Sequence, residues 1–141
     1  MMVDKGRAAE YAFAEACMNQ GLAIAFPCSE LLSYDYVVDN GKCLVKVQVK
    51  STSKTERGTY KIMTSRKPRA GGRTRRPYSA REIDFMVAWL AESRTFYIIP
   101  IEAVCSCKTI TIKPGSRDCK WDAFKEAWRY LLPKATKKKQ T

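Results

Sequence analysis

Apolar and polar positions change rhythm along the chain, and the rhythm predicts the elements. From about Asp4 to Gln20 the chain is rich in Ala and Glu, and Gly21 follows as a stop. That reads as a helix with Gly21 near its C-terminal cap. A short apolar stretch, Leu22 to Phe26, predicts a first strand ended by Pro27. Tyr34 to Asp39 predicts a second, and Asn40-Gly41 is a strong hairpin turn. From about Lys42 to Lys50 the alternation is clean. Cys43, Val45, Val47 and Val49 make a core face, while Leu44, Lys46, Gln48 and Lys50 point the other way. Thr59 to Thr64 continues at period two through Tyr60 and Ile62.

The pattern then breaks. Ser65 to Pro77 holds six basic residues and no acidic one, with two prolines and a Gly-Gly pair, and reads as a loop. Ser79 and Glu82 have capping-box spacing, and Ile83, Met86, Val87 and Leu90 form a helical stripe, so a second helix is expected there. Thr95 to Pro100 predicts a buried strand, and Thr109 to Lys113 a short one. Asp118 is placed as the N-cap of a last helix with the stripe Trp121, Phe124, Trp128 and Leu131, stopped by Pro133. The packing of Trp121 and Trp128 on the core is favoured over a subunit interface. Residues 134–141 are expected to be a disordered basic tail, leaving one domain over 1–133.

Composition narrows the chemistry. The chain has 141 residues and a net charge of +12, an excess that points to a polyanion. No helix is basic on one face and bulky-apolar on the other, so nucleic acid is preferred to a membrane surface. No membrane-length apolar run or secretory signal is read, and an intracellular, soluble protein is expected. There is no histidine, which excludes Ser-His-Asp and Cys-His nucleophiles and a histidine base. The six cysteines are expected to be reduced and to serve as small buried hydrophobes. Cys105, Cys107 and Cys119 form a poor zinc group by spacing.

What remains is chemistry by carboxylate, lysine and metal. Gln48 and Lys50, two apart on one strand, leave the same face roughly 7 Å apart. The Asn40-Gly41 turn brings Asp35 back toward them. Glu10 lies on a helix row with Ala14 and Cys17. Phosphodiester cleavage needs an attacking water, compensation of phosphate charge and help for the leaving oxygen, all of which a divalent ion supplies. Magnesium takes one or two carboxylates plus neutral oxygens. Asp35 offers the charge, Gln48 a carbonyl and Lys50 a cation for the phosphate. The plainer reading of Gln48 and Lys50, taken alone, is the wet face of a strand.

Glu10, Tyr34-Asp35 and Val47-Gln48-Val49-Lys50-Ser51 together resemble the signature of the PD-(D/E)XK nuclease superfamily. More narrowly, the segments YDYVVDNG, VQVKST, PYSAREIDFMVAWL and TFYIIPIEAV resemble the small endonucleases related to a homing endonuclease of group I introns, over Gly6 to Val104. The resemblance implies an α/β fold with an αβββαβ core, its mixed central sheet flanked by helices. It also implies a Mg2+-dependent DNA endonuclease in which Mn2+ substitutes. Asp35 would be the main metal ligand, Gln48 a second, Lys50 the catalytic lysine, and Glu10 would complete or support the metal shell. Gln48 stands where the family usually has an acid, which removes one negative charge. Tyr34 replaces the family's proline, a position that contributes no ligand.

Arg66, Lys67, Arg69, Arg73, Arg75 and Arg76 are the expected DNA contacts, to phosphates or guanine edges. Cutting both strands of a duplex implies a homodimer or larger symmetric oligomer. Two rival readings stay open: a Holliday-junction resolvase acting on branched DNA with the same residues, and an inactive DNA-binding module.

Overall fold

The computed structural model describes residues 2–68 and 71–133; Arg69 and the tail 134–141 lie outside the described residues. Helix α1 spans Lys5–Asn19. Asp4 caps it by accepting a 2.9 Å bond from the Arg7 amide. Its inner face, Ala9, Phe13 and Cys17, is buried, and Gly21 follows with φ 77°, a left-handed geometry that suits glycine.

Strands β1 (Ala23–Ala25), β2 (Tyr36–Asp39) and β3 (Leu44–Ser51) form an antiparallel meander. The expected turn closes β2 to β3, with Gly41 at φ 87°. The Asn40 side chain accepts from the amides of Lys42 and Cys43, each at 2.9 Å. The expected two-faced strand holds at Val47 and Val49, which are buried, whereas Cys43 is exposed and Val45 half-buried.

Short β4 (Ser53–Lys54) and β5 (Tyr60–Met63) come next, then β6 (Ser65–Arg66) and β7 (Arg76–Pro77). Strand β8 (Phe85–Leu90) follows, then β9 (Thr95–Pro100) and β10 (Thr109–Ile112). Among the described residues, the main sheet runs β1-β2-β3-β8-β9 and a second sheet runs β10-β5-β4. The main sheet is mixed: β3 and β8 are parallel, while β8 and β9 are antiparallel. Helix α1 packs on one face around Phe13, Val47, Phe96 and Trp128. The second sheet covers the other around Ile62, Met86, Tyr97 and Ile112.

The α/β class with a mixed central sheet stands, but two expected helices do not form. The capping box after Ser79 does close, with the Ser79 amide bonded to Glu82 at 3.2 Å. The chain then makes one turn and enters β8, which begins at Phe85. Every residue from Met86 to Leu90 is buried, as in a strand covered on both faces. The helical stripe was a subset of a continuous apolar run, which periodicity alone does not separate from a strand. Among the described residues, one α-helix therefore flanks the sheet where the αβββαβ order expects two.

The last expected helix is two 3-10 turns, Lys120–Phe124 and Trp128–Tyr130. Between them Glu126 takes φ 48°. Its backbone and side chain serve the edge of β9. Its carboxylate accepts from the Phe96 amide and the Trp128 indole N–H, both at 2.8 Å, and its own amide donates to the Phe96 carbonyl at 2.7 Å. Covering an open sheet edge replaced helix continuity. Trp121 and Trp128 are buried in the two cores, as favoured. Among the cysteines only Cys17 is fully buried; Cys28, Cys43 and Cys105 are exposed, so the small-hydrophobe reading fails for them.

Candidate active site

The hairpin builds the site. The Asp35 amide donates to the Val47 carbonyl at 2.8 Å. The pairing of Tyr36 with Val47, extended by one residue, sets Asp35 across from Gln48. The side chain then does what backbone would do next: Asp35 Oδ2 accepts from the Val49 amide at 2.8 Å. The carboxylate is thus locked to the strand segment that carries Gln48 and Lys50. Glu10 comes from α1, whose carbonyl at that residue receives the Tyr36 hydroxyl at 3.1 Å. Its carboxylate pairs with Arg7 at 3.1 Å. Glu10, Tyr34, Asp35 and Tyr36 line one cleft of about 470 Å³.

Electrostatics tie these groups together. Burial pushes the Asp35 carboxyl up to about 7, and the nearby Glu10 carboxylate adds to the rise. The Val49 hydrogen bond and the Lys50 charge oppose it without reversing it. The Lys50 ammonium is lowered from its ordinary value, chiefly by burial, while Asp35 supports its charge. Lys50 Nζ lies 5.1 Å from the centre of the Tyr78 ring, a cation–π contact. The Gln48 amide nitrogen makes one long contact, 3.4 Å, to the Val49 carbonyl.

Asp35 therefore meets Glu10 from the helix layer and Gln48 and Lys50 from the neighbouring strand. No group of three His, Cys, Asp or Glu among the described residues could hold a metal ion. Asp35 and Glu10 are two acids, and Gln48 sits across the hairpin from Asp35.

A family model described as PD-(D/E)XK endonuclease matches residues 2–129. The chain belongs to this family. A solved structure, of a bacterial homing endonuclease named I-Ssp6803I, is similar to this chain at 31% identity and a TM-score of 0.82, covering 97% of each chain. No curated protein matches. The resemblance carried by Glu10, Asp35 and Val47 to Ser51 thus extends to the whole fold, although the second helix of the αβββαβ order is absent from the described residues.

The basic segment of this PD-(D/E)XK protein is not the plain loop expected. Its ends pair as β6 and β7, Ser65 with Pro77 and Arg66 with Arg76. Three of the arginines assigned to DNA are engaged within the protein. Arg66 and Arg76 pair with Glu82 at 2.8 and 2.7 Å. Arg75 donates to the Ser65 hydroxyl at 2.9 Å and its carbonyl at 2.6 Å. Lys67 and Arg73 are exposed. Arg66, Lys67 and Arg75 all act on the Lys50 charge, so the hairpin stands beside the site.

Sequence reasoning did not anticipate that Tyr78 faces Lys50 or that Ser33 Oγ donates to Glu82 at 2.7 Å. The Ser79-Glu82 spacing was visible but pointed to a helix start. An aromatic residue above a lysine, and a serine in a loop, carry no spacing signal.

Proposed function

We propose that the chain is a metal-dependent endonuclease cutting double-stranded DNA at a defined site, as the homing-type neighbour's description suggests. The observation that carries this reading is the Asp35 carboxylate bonded to the Val49 amide, between Gln48 and Lys50, with Glu10 alongside. The donor set fits a divalent ion such as Mg2+, or Mn2+ in its place: hard carboxylate and amide oxygens, one or two charges, and room for water and phosphate. The raised Asp35 also fits, because a half-buried acid beside a second acid is short of positive charge. Asp35, Glu10 and Gln48 would hold the ion, which when bound would activate water and offset phosphate charge.

The chain's own groups do the rest. Asp35 is oriented by the Val49 amide and set against Glu10. Lys50 brings its amine into a confined setting, where a cation acts strongly on a phosphate oxygen. Lys67 and Arg73 meet the DNA backbone from the hairpin. Cleavage of both strands calls for two such sites, hence a symmetric dimer or larger assembly.

The test is cleavage of plasmid and of a synthetic four-way junction with Mg2+, with Mn2+ and with chelator. Metal-dependent double-strand cuts at discrete positions in linear duplex are expected. Cleavage confined to the junction would replace site specificity by structure specificity. Binding with no cleavage in either metal would leave a DNA-binding module.

A further inference from the structure

Glu82 has more partners than a helix cap needs. Its Oε1 accepts from Arg76 Nη1 at 2.7 Å and from the Ser79 amide and hydroxyl, each at 3.2 Å. Its Oε2 accepts from Ser33 Oγ at 2.7 Å, Arg66 Nη1 at 2.8 Å and Arg76 Nη2 at 3.1 Å. A carboxylate has about four lone-pair sites, so these six donors leave none for a metal or a substrate. The side chain is 15% exposed.

The partners come from three separate stretches. Ser33 precedes Asp35 by two residues. Arg66 and Arg76 sit opposite each other on the two strands of the basic hairpin. Ser79 begins the turn that leads into β8, directly after Tyr78, the ring facing Lys50. Among the described residues no backbone ladder joins the hairpin to the Ser33 stretch: β6 and β7 form a sheet of their own. The Glu82 carboxylate makes that join.

We infer that Glu82 is a positioning residue that clamps the basic hairpin to the Asp35 loop, so that DNA held by the hairpin arrives in register with Asp35 and Lys50. The clamp has a second consequence. Glu82 occupies Arg66 and Arg76 as a phosphate would, which leaves phosphate contact to the remaining cations of the hairpin. Releasing those arginines should therefore raise non-specific affinity while spoiling alignment. Affinity and rate move in opposite directions, which neither general unfolding nor a spectator surface acid produces.

The cleavage arm of the test rests on the nuclease reading; the exchange arm does not. The full-length protein and its Glu82→Gln and Ser33→Ala variants are compared by amide hydrogen exchange, duplex affinity against salt, and single-turnover cleavage in Mg2+. Glu82→Gln should speed exchange at Arg66, Arg76 and Asp35 together by roughly tenfold more than in the core strands. Its duplex binding should tighten and its salt slope steepen by about one unit. Its cleavage at saturating protein should slow by roughly 10- to 100-fold, as misalignment of a reacting centre does. Ser33→Ala should loosen Asp35 alone and slow cleavage several-fold at unchanged affinity.

Wild-type cleavage by Glu82→Gln, or loosening of the hairpin without Asp35, would overturn the inference. If Glu82→Gln loosens the whole fold, Ser33→Ala decides, and a wild-type rate there is equally fatal. If the wild-type protein itself does not cut DNA, the nuclease reading falls and the exchange pattern alone judges the clamp.

Discussion

Asp35 and Glu82 are both partly buried carboxylates near the basic hairpin, yet their surroundings drive them in opposite directions. Glu82 receives two guanidinium groups, two hydroxyls and an amide, and these hold its carboxyl well below the ordinary range. Asp35 accepts from the Val49 amide but shares its other contact with a second acid, Glu10, and is pushed up to about 7. The saturated acid organises structure. The under-compensated acid is where a cation would be welcome, and that contrast separates a clamp from a candidate ligand more sharply than burial does.

The comparison breaks first at catalysis. Asp35→Ala should reduce cleavage by about 1,000-fold or more while duplex binding persists, because the acid's charge opposes that of DNA. A variant cutting at the wild-type rate would remove Asp35 from the chemistry. Lys50→Ala should slow cleavage by about 100-fold, in the range of losing one electrostatic stabiliser, as read by single-turnover rates.

Stability gives the next contrast. The depressed Glu82 contributes stability above the ordinary glutamate range, and that contribution is lost as pH falls through its lowered folded value. Glu82→Gln should cost about 2 kcal/mol in neutral urea titrations, and much less in strong acid. Asp35 carries the reverse sign. Its charged form is disfavoured in the fold, so it costs nothing below its ordinary value of 3.8, and its full cost is present above about 7. Asp35→Asn should therefore stabilise the metal-free protein at pH 8 by on the order of 1–2 kcal/mol, with the gain vanishing below pH 4. Added Mg2+ should raise the Tm of the wild-type protein and leave the variant unmoved; equal shifts would argue against a site at Asp35. Smallest of all, Lys67→Ala should lower the salt slope of duplex binding by about one unit with little effect on fold.

The hairpin was legible because its signals are local. Asn40-Gly41 dictates a turn and alternation from Val45 to Lys50 dictates two faces, which brings Asp35 back toward the third strand, but the register that sets it across from Gln48 came only with the pairing of Tyr36 and Val47. The strand from Phe85 to Leu90 was misread because its helical stripe was embedded in a run apolar at every position, and only neighbours on both faces decide that case. The stretch after Asp118 was misread because its aromatic spacing fitted a helix, while the unpaired edge of β9, far off in sequence, set the price of continuity. Glu82 was seen as a helix cap because its donors at Ser33, Arg66 and Arg76 are remote in the chain.

By itself the sequence determined the helix, the meander, the basic excess and the set of groups able to do chemistry without histidine. Each follows from residues within a few positions of one another, whose conformational preferences act before the chain closes. Tertiary structure alone decided which carboxylate is satisfied and which is left short of positive charge, and which arginines remain for a polyanion. Those outcomes depend on desolvation and on donors brought together across long separations, and neither quantity exists until the layers have packed.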